Sequence, residues 1–91
     1  MDFARARLNM VEGQIRPNKV TDPRIVAAML DLPRERFLPP DRQAFAYLDE
    51  DVPVAPGRAL MEPMVLARLV QAAEVQQTSR VLVIAAGAGY G

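Results

Sequence analysis

A chain of 91 residues can form one small domain, because short chains bury only about 60–65% of the surface that they expose when unfolded. Its 51% apolar and 24% charged residues exclude wholesale disorder, and eleven basic against eleven acidic residues give no basic surface for a nucleic acid. The sequence contains neither cysteine nor histidine, which excludes disulfides, the usual zinc sites and a histidine general base.

The first third of the chain predicts two helices. Apolar side chains recur at helical spacing over residues 3–16, and Pro17 ends this helix. The second helix begins at Asp22 and Pro23, because aspartate caps free N–H groups and a proline in the first turn needs no N–H partner. Pro33 ends the second helix, since the residue before a proline avoids the helical conformation.

The middle of the chain predicts short turns and one edge strand. Helical turns are expected over residues 34–38 and 43–47, the second of them capped by Asp41. Residues 52–54 alternate like a strand, which the central proline confines to a sheet edge. A proline–glycine pair, Pro56-Gly57, then predicts a turn.

Two charged clusters and the methionines have competing interpretations. Residues 49–51 are all acidic, and a solvated loop is favoured over a metal site because consecutive carboxylates do not converge on one side of a strand. For residues 34–36, packing or a surface ion pair is favoured over an anion site. Four methionines are expected to fill the core from helical faces: Met10, Met29, Met61 and Met64.

The last third predicts a helix, a buried strand and a glycine loop. The helix begins near Pro63 with its apolar positions on one face. Residues 81–85 are an uninterrupted aliphatic run, typical of a strand buried on both faces of a parallel sheet. Residues 86–91 follow it with three glycines, which is how a Rossmann-like domain presents a cofactor site. The alternative is a tight turn that binds no ligand.

The longest apolar run, residues 81–86, is far shorter than the roughly 20 residues of a membrane-spanning helix. The N-terminus lacks the basic and then apolar pattern of a signal peptide. We therefore expect a cytoplasmic protein without membrane or nucleic-acid partners and without a bound metal.

Several stretches, taken in order, resemble the protein-L-isoaspartate O-methyltransferase family. Residues 33–39 match the family's P-R-E-x-F-V-P segment, and residues 81–90 are similar to its first motif, V-L-E-I-G-T-G-S-G-Y. Other stretches agree in order and spacing with two family helices and with A-Y-x-D…L-P-I: residues 10–15, 22–29, 46–49 and 52–54.

The resemblance implies an α/β fold that uses S-adenosyl-L-methionine. Residues 1–79 would form a mostly helical N-terminal cap, and residues 80–91 the first strand and glycine loop of a Rossmann-like methyltransferase sheet that is incomplete in this chain. Its substrates would be isoaspartyl-containing proteins or peptides, methylated on the isoaspartyl carboxylate. The implied cofactor-binding positions are Ala85, Ala86, Gly87, Ala88, Gly89 and Tyr90.

The sequence departs from the family where the substrate binds. The family's hydroxyl-bearing segment, Q-T-I-S-x-P, begins here at Arg58, with Ala59 at the position of the threonine and Met61 at that of the serine. Those hydroxyls help to hold the substrate carboxylate in the family, and neither replacement can donate a hydrogen bond. Arg58 is either an exposed turn residue, the favoured interpretation, or a bidentate partner for that carboxylate. In the first motif Val83 replaces the acidic residue and Ala85 the first glycine.

A hypothesis of a different class is a non-catalytic helical interaction module derived from the family. It would pair residues 81–86 with a partner or with a second copy, giving a homo-oligomer. The helix and the ribose-binding acid that follow such a glycine loop lie beyond Gly91. We therefore expect these 91 residues alone to lack methyl-transfer activity.

Overall fold

The computed structural model describes residues 2–84, 87 and 89–91. These residues form a mixed α/β arrangement of helices and a small antiparallel sheet. The α-helices and strands, in chain order, are α1 Phe3–Met10, α2 Pro23–Asp31, β1 Val52–Ala55, β2 Arg58–Leu60 and α3 Pro63–Ala72. In the part of the chain that the structure describes, no helix is long and apolar enough to cross a membrane.

The first predicted helix begins as expected, but its predicted end at Pro17 is wrong, because the chain continues through Pro17 as a 3-10 turn. It begins at Asp2, whose carboxylate accepts a hydrogen bond at 3.0 Å from the backbone N–H three residues later. After α1 the helix widens into a π-helical turn, Val11–Ile15, and then tightens into a 3-10 turn, Arg16–Asn18. Lys19 ends it in the left-handed conformation, with φ 66°. Both end residues of the π-helical turn are fully buried, which fixes the turn against the core.

α2 starts and stops as the sequence predicts. The Asp22 carboxylate accepts a hydrogen bond from the backbone N–H two residues later at 2.9 Å, and Pro23 is the first helical residue. The helix ends at Leu32, whose extended backbone is the conformation that a following proline favours. Val26 and Met29 bury the inner face of the helix.

A glutamine on α3 joins that helix to the start of α2. The Gln71 Oε1 atom accepts hydrogen bonds from the backbone N–H groups of Thr21 at 2.7 Å and Asp22 at 2.9 Å. The Gln71 Nε2 atom donates to the carbonyl of Lys19 at 2.8 Å. One side chain therefore satisfies backbone groups on both sides of the turn between the first two helices.

Two 3-10 turns, Arg34–Phe37 and Pro40–Phe45, connect α2 to the sheet. The first confirms the turn predicted over residues 34–38. The second begins before the predicted segment 43–47, and the predicted cap by Asp41 is wrong because no side chain of the described residues caps this turn. A proline holds its first position instead, where a fixed φ suits a helical start.

β1 and β2 form an antiparallel hairpin that places Val52 opposite Leu60 and Pro53 opposite Ala59. Gly57 turns the chain between the strands with a φ of 72°, a conformation that glycine adopts without a steric penalty. Pro53 fits because each strand of a two-stranded sheet is an edge strand. The predicted edge strand is confirmed.

The apolar core collects buried residues from the helices, the connecting turns and β1. Its buried members are Met10, Val11, Ile15, Val20, Val26, Met29, Leu38, Ala46, Tyr47, Val52 and Ala67. The core prediction for methionines is confirmed for Met10 and Met29, and Met64 packs partly buried against the same cluster. It is wrong for Met61, which is 40% exposed because it lies in the extended segment between β2 and α3.

α3 begins at the predicted proline but leaves much of its apolar surface uncovered. Pro63 and Ala67 are buried, whereas Val65, Leu69 and Val70 are exposed. The described residues therefore supply α3 with only a narrow contact face, and the remaining apolar surface is available to further packing.

The strand predicted over residues 81–85 is not formed in the part of it that the structure describes. Val81, Leu82, Val83 and Ile84 belong to no strand and are exposed, Leu82 to 84%. A strand needs a neighbour to bond its N–H and C=O groups, and the sheet of the described residues pairs only β1 with β2. Ala85 lies outside the described residues.

Candidate functional site

A fully buried arginine lies at the centre of the candidate site. Arg34 begins the first 3-10 turn, and its Nε atom donates a 2.5 Å hydrogen bond to the carbonyl of Ala46. Its Nη2 atom donates to the carbonyl of Met61 at 2.8 Å. The guanidinium carbon lies 4.9 Å from the centroid of the Tyr90 ring, within cation–π range. Arg34 therefore contacts three segments that are distant in sequence.

These contacts compensate for the burial of the charge. Burial lowers the pKa of Arg34, but a guanidinium stays protonated in proteins. Two carbonyl oxygens and an aromatic face replace part of the water that the charge gives up. The Nη1 atom has no hydrogen-bond partner among the described residues. The prediction of packing for residues 34–36 is confirmed at Arg34, which forms no ion pair with any other described residue.

The next residue, Glu35, belongs to a second buried network. Its Oε1 atom accepts a 2.5 Å hydrogen bond from the Tyr47 hydroxyl and a 3.2 Å hydrogen bond from Arg7 Nη2. Arg7 Nε also donates to the Tyr47 hydroxyl oxygen at 2.9 Å. Since Arg7 lies on α1, the network joins the first helix to the turns that carry Arg34.

The charge state of this network follows from its hydrogen bonds. Burial alone would raise the pKa of Glu35, but the donors Tyr47 and Arg7 outweigh it and lower that pKa. Burial, followed by the hydrogen bond to Glu35, raises the pKa of the Tyr47 phenol. The phenol is therefore neutral and the carboxylate ionised near neutral pH, and this combination makes the hydrogen bond between them charge-assisted and strong.

The π-helical turn positions Tyr47 from its backbone side. Gln14, within that turn, donates from Nε2 to the carbonyl of Tyr47 at 2.7 Å. Asn18 Nδ2 in turn donates to the carbonyl of Gln14 at 2.6 Å. The backbone of Tyr47 and its hydroxyl are thus held by neighbouring turns of the same N-terminal helix.

The predicted glycine loop returns to the body of the protein at Tyr90. The Tyr90 ring is buried and meets the Phe37 ring edge-on, with centroids 5.3 Å apart at an interplanar angle of 68°. Gly87 and Gly89 are exposed and have positive φ values of 61° and 89°. The remaining predicted cofactor positions, Ala85, Ala86 and Ala88, lie outside the described residues.

The predicted substrate segment lies along β2 and its exit. Ala59 is exposed on β2, and Arg58 is exposed at the start of the same strand. Met61 follows the strand, with its side chain partly exposed and its carbonyl bonded to Arg34. The structure therefore brings the backbone at Met61 and the ring of Tyr90 to one guanidinium. Sequence reasoning did not identify Arg34 as this link, although it lies in the segment that resembles the family.

The acidic residues 49–51 form the predicted solvated loop. All three are exposed, and the described residues contain no group of acidic side chains arranged to hold a metal ion. Asp51 Oδ1 accepts a 2.7 Å hydrogen bond from the backbone N–H of Glu62, the residue that precedes α3. Burial and, next, the nearby charge of Asp49 raise the pKa of Glu62. This loop fixes the start of α3.

A cavity of about 270 Å³ opens between α2 and α3, and Tyr90 and Gly91 contribute to its wall. Apolar side chains dominate the rest of its lining, namely Ile25, Ala28, Met29, Leu66, Ala67 and Val70. Asp22 and Arg24 also line the cavity, and their charges pair with each other at 2.8 Å. A mostly apolar cavity of this kind can receive an apolar group.

Comparison with known proteins agrees with the motifs. A profile of the protein-L-isoaspartate(D-aspartate) O-methyltransferase family matches residues 5–91. The protein-L-isoaspartate O-methyltransferase of Opitutus terrae is 40% identical over 92 residues, which cover 97% of this chain and 40% of that protein. The protein of the same name from Aeropyrum pernix is 38% identical over 88 residues, which cover 97% of this chain and 34% of that protein.

A further relative is the protein-L-isoaspartate O-methyltransferase 1 of Rhodopseudomonas palustris strain HaA2, 40% identical over 88 residues. Those residues cover 97% of this chain and 36% of the relative. The chain thus spans about two fifths or less of the length of these curated relatives. Because the family profile covers nearly all of the sequence, the chain belongs to the protein-L-isoaspartate(D-aspartate) O-methyltransferase family.

Proposed function

We propose that the polypeptide carrying this sequence transfers a methyl group from S-adenosyl-L-methionine to the α-carboxylate of isoaspartyl residues in damaged proteins. The observation that carries the proposal is the position of Arg34, which bonds the Met61 backbone and lies against the Tyr90 ring. The segment matching the family's carboxylate-binding residues is thereby adjacent to the end of the glycine loop. Such adjacency matters because holding two reactants together supplies much of the rate of a transfer reaction.

The proposal includes a division of the chain into a helical part and the beginning of a sheet. Residues 1–79 would form the mostly helical cap, and residues 80–91 would begin a Rossmann-like sheet. The exposed aliphatic run over residues 81–84 supports this, since such a run is typical of a strand buried on both faces. The Opitutus terrae relative is more than twice as long as the matched region, which leaves room for neighbouring strands.

The glycine loop is compatible with S-adenosyl-L-methionine. Gly87 and Gly89 have positive φ values, and a Cβ added at either would meet no atom of the described residues within 4 Å. Open space and a glycine backbone let a ligand approach the main chain closely. When bound, the cofactor supplies a methyl group activated by its sulfonium. The buried Tyr90 ring would hold the end of the loop in place.

The substrate side needs little acid–base chemistry. An isoaspartyl carboxylate is ionised at neutral pH and is itself the nucleophile. The transfer therefore needs no general base, and the lack of histidine in this chain does not prevent it. Ala59 and Met61 offer no side-chain donor. Arg58, exposed at the start of β2, offers a charged donor in the same segment, and its planar fork suits a carboxylate.

The proposal is tested on the full-length polypeptide that carries residues 1–91. We expect isothermal titration to detect binding of S-adenosylhomocysteine, the reaction product. We expect a methyl-transfer assay to modify an isoaspartyl peptide and to leave its ordinary aspartyl isomer unmodified. A folded protein that neither binds the product nor methylates the peptide would contradict the proposal, and the non-catalytic interaction module would then be the better hypothesis.

The role of Arg58 is tested by Arg58→Ala, with Arg68→Ala on α3 as the control because both side chains are exposed. If Arg58 binds the carboxylate, the KM for the isoaspartyl peptide rises about tenfold or more in the first variant only. A KM that stays at the parent's value in both variants would identify Arg58 as an exposed turn residue.

A further inference from the structure

We propose that Arg34 is a positioning residue that couples the substrate segment around Met61 to the cofactor loop at Tyr90, so that the two segments hold or lose their order together. This inference rests on the proposed function for its purpose. Its physical content, the coupling, rests on contacts within the described residues. Arg34 itself is fully buried and touches neither reactant in this role.

On the substrate side, Arg34 acts on the main chain. Its two hydrogen bonds go to the carbonyls of Ala46 and Met61, at 2.5 and 2.8 Å. A bond to a carbonyl fixes the backbone whatever side chain the residue carries. The course of the segment past Met61 is therefore set although the family's serine is absent. The same segment is held on its other side by Asp51, which accepts from the Glu62 N–H at 2.7 Å.

On the cofactor side, Arg34 acts through an aromatic ring. Its guanidinium lies 4.9 Å from the Tyr90 centroid, and Phe37, from the same 3-10 turn, meets the ring at its edge. Gly89 precedes Tyr90 with a φ of 89°, and Gly91 follows it. A ring between two glycines is the point at which this flexible backbone can be fixed, because glycine alone restricts it little.

Arginine is suited to this double task and lysine is not. The guanidinium is planar, carries five N–H donors and presents a flat face to an aromatic ring. Lysine offers a compact ammonium that can reach one carbonyl but cannot bond two carbonyls in a fixed fork and stack at the same time. Arg34→Lys therefore keeps the charge and removes the coupling geometry.

The coupling is measured by hydrogen–deuterium exchange of the full-length polypeptide. We expect Arg34→Lys to retain the parent's circular dichroism and to speed exchange about tenfold or more in two peptides together, residues 59–64 and 87–91. Arg36→Lys, an exposed residue of the same turn, is the control and should leave both peptides unchanged. Faster exchange in only one peptide, or in neither, would overturn the proposal.

A second pair of variants keeps the test decisive if Arg34→Lys does not fold. Tyr90→Phe retains the ring, whereas Tyr90→Leu removes it. We expect Tyr90→Leu, but not Tyr90→Phe, to speed exchange in residues 59–64 and to raise the KM for the isoaspartyl peptide more than it lowers kcat. Unchanged exchange there in Tyr90→Leu refutes the coupling. Exchange requires no catalysis, so a parent without activity would refute the proposed function while this comparison still decides the coupling.

Discussion

The Tyr47 hydroxyl donates a 2.5 Å hydrogen bond to Oε1 of Glu35, and both side chains are buried. Arg7 donates to both of them from α1, at 2.9 Å to the phenol and 3.2 Å to the carboxylate. An ionised Glu35 accepts both as charge-assisted hydrogen bonds, which are roughly twice as strong as those to a neutral group. The strength with which α1 is attached to the turns that carry Arg34 therefore depends on the protonation of one carboxyl group.

This dependence predicts an acid-labile contribution to stability. The pKa of Glu35 is lower in the fold than its ordinary value of 4.5, so the group stabilises the fold fully above pH 4.5 and progressively less as the pH falls through the lowered value. We expect Glu35→Gln to reduce the free energy of unfolding by about 1.5–3 kcal/mol at pH 7. The difference from the parent should shrink towards pH 3, as measured by urea denaturation.

The control for this prediction is Glu12→Gln. Glu12 pairs with Arg16 at 3.0 Å on an exposed surface, and such pairs contribute about 0–1 kcal/mol. Its effect should be small at both pH values. If Glu35→Gln lost as much stability between pH 7 and pH 3 as the parent does, Glu35 would not be the source of the acid sensitivity.

The Gln71 hydrogen bonds predict a loss of folding stability when that side chain is shortened. Gln71 accepts from two backbone N–H groups and donates to the carbonyl of Lys19. These backbone groups are partly exposed, so water replaces much of the lost bonding. We expect Gln71→Ala to reduce the free energy of unfolding by about 1–2 kcal/mol. Gln77→Ala, at an exposed position, should change it by less than about 0.5 kcal/mol in the same thermal or urea experiment.

The parts of the fold that depend on neighbouring residues could be predicted from the sequence. The start of α2 follows from Asp22 and Pro23, and the hairpin turn follows from Gly57, because caps and turns are decided by the conformations of a few adjacent residues. The first helix shows the limit of this reasoning. Its apolar spacing predicts a helix but does not specify that Val11–Ile15 forms a π-helical turn.

The site depends on contacts that the sequence does not encode locally. Arg34 looks like an exposed charge within a charged cluster, yet it is buried because Ala46 and Met61, 12 and 27 residues away, present carbonyls to it. The strand predicted over residues 81–85 shows the reverse case, in which the local pattern is present but the structure is not. The apolar pattern is typical of a buried strand, but a strand forms only beside a partner strand. The described residues provide no partner strand for residues 81–84.

The departures from the family in the substrate segment predict a gain of function. If the family's threonine and serine hold the substrate carboxylate, restoring them by Ala59→Thr with Met61→Ser should lower the KM for an isoaspartyl peptide about tenfold, as expected for one regained hydrogen bond to a charged group. Both side chains are exposed, so the fold should be unaffected. Leu60→Val between them is a control with no new hydroxyl. An unchanged KM in the double variant would show that these positions do not bind substrate here.

The exposed run at residues 81–84 predicts that one substitution has different effects in two lengths of chain. Leu82 is 84% exposed in these 91 residues, so Leu82→Lys should change their free energy of unfolding by less than about 0.5 kcal/mol. We propose that this run is a strand buried on both faces in the full-length polypeptide. There the same lysine would be an unpaired buried charge, and it should reduce the free energy of unfolding by about 3–5 kcal/mol. Thr78→Lys, in the preceding polar turn, should be tolerated in both. Urea denaturation of the two lengths measures the difference, and a small effect of Leu82→Lys in both would mean that the run is not a buried strand of a Rossmann-like sheet.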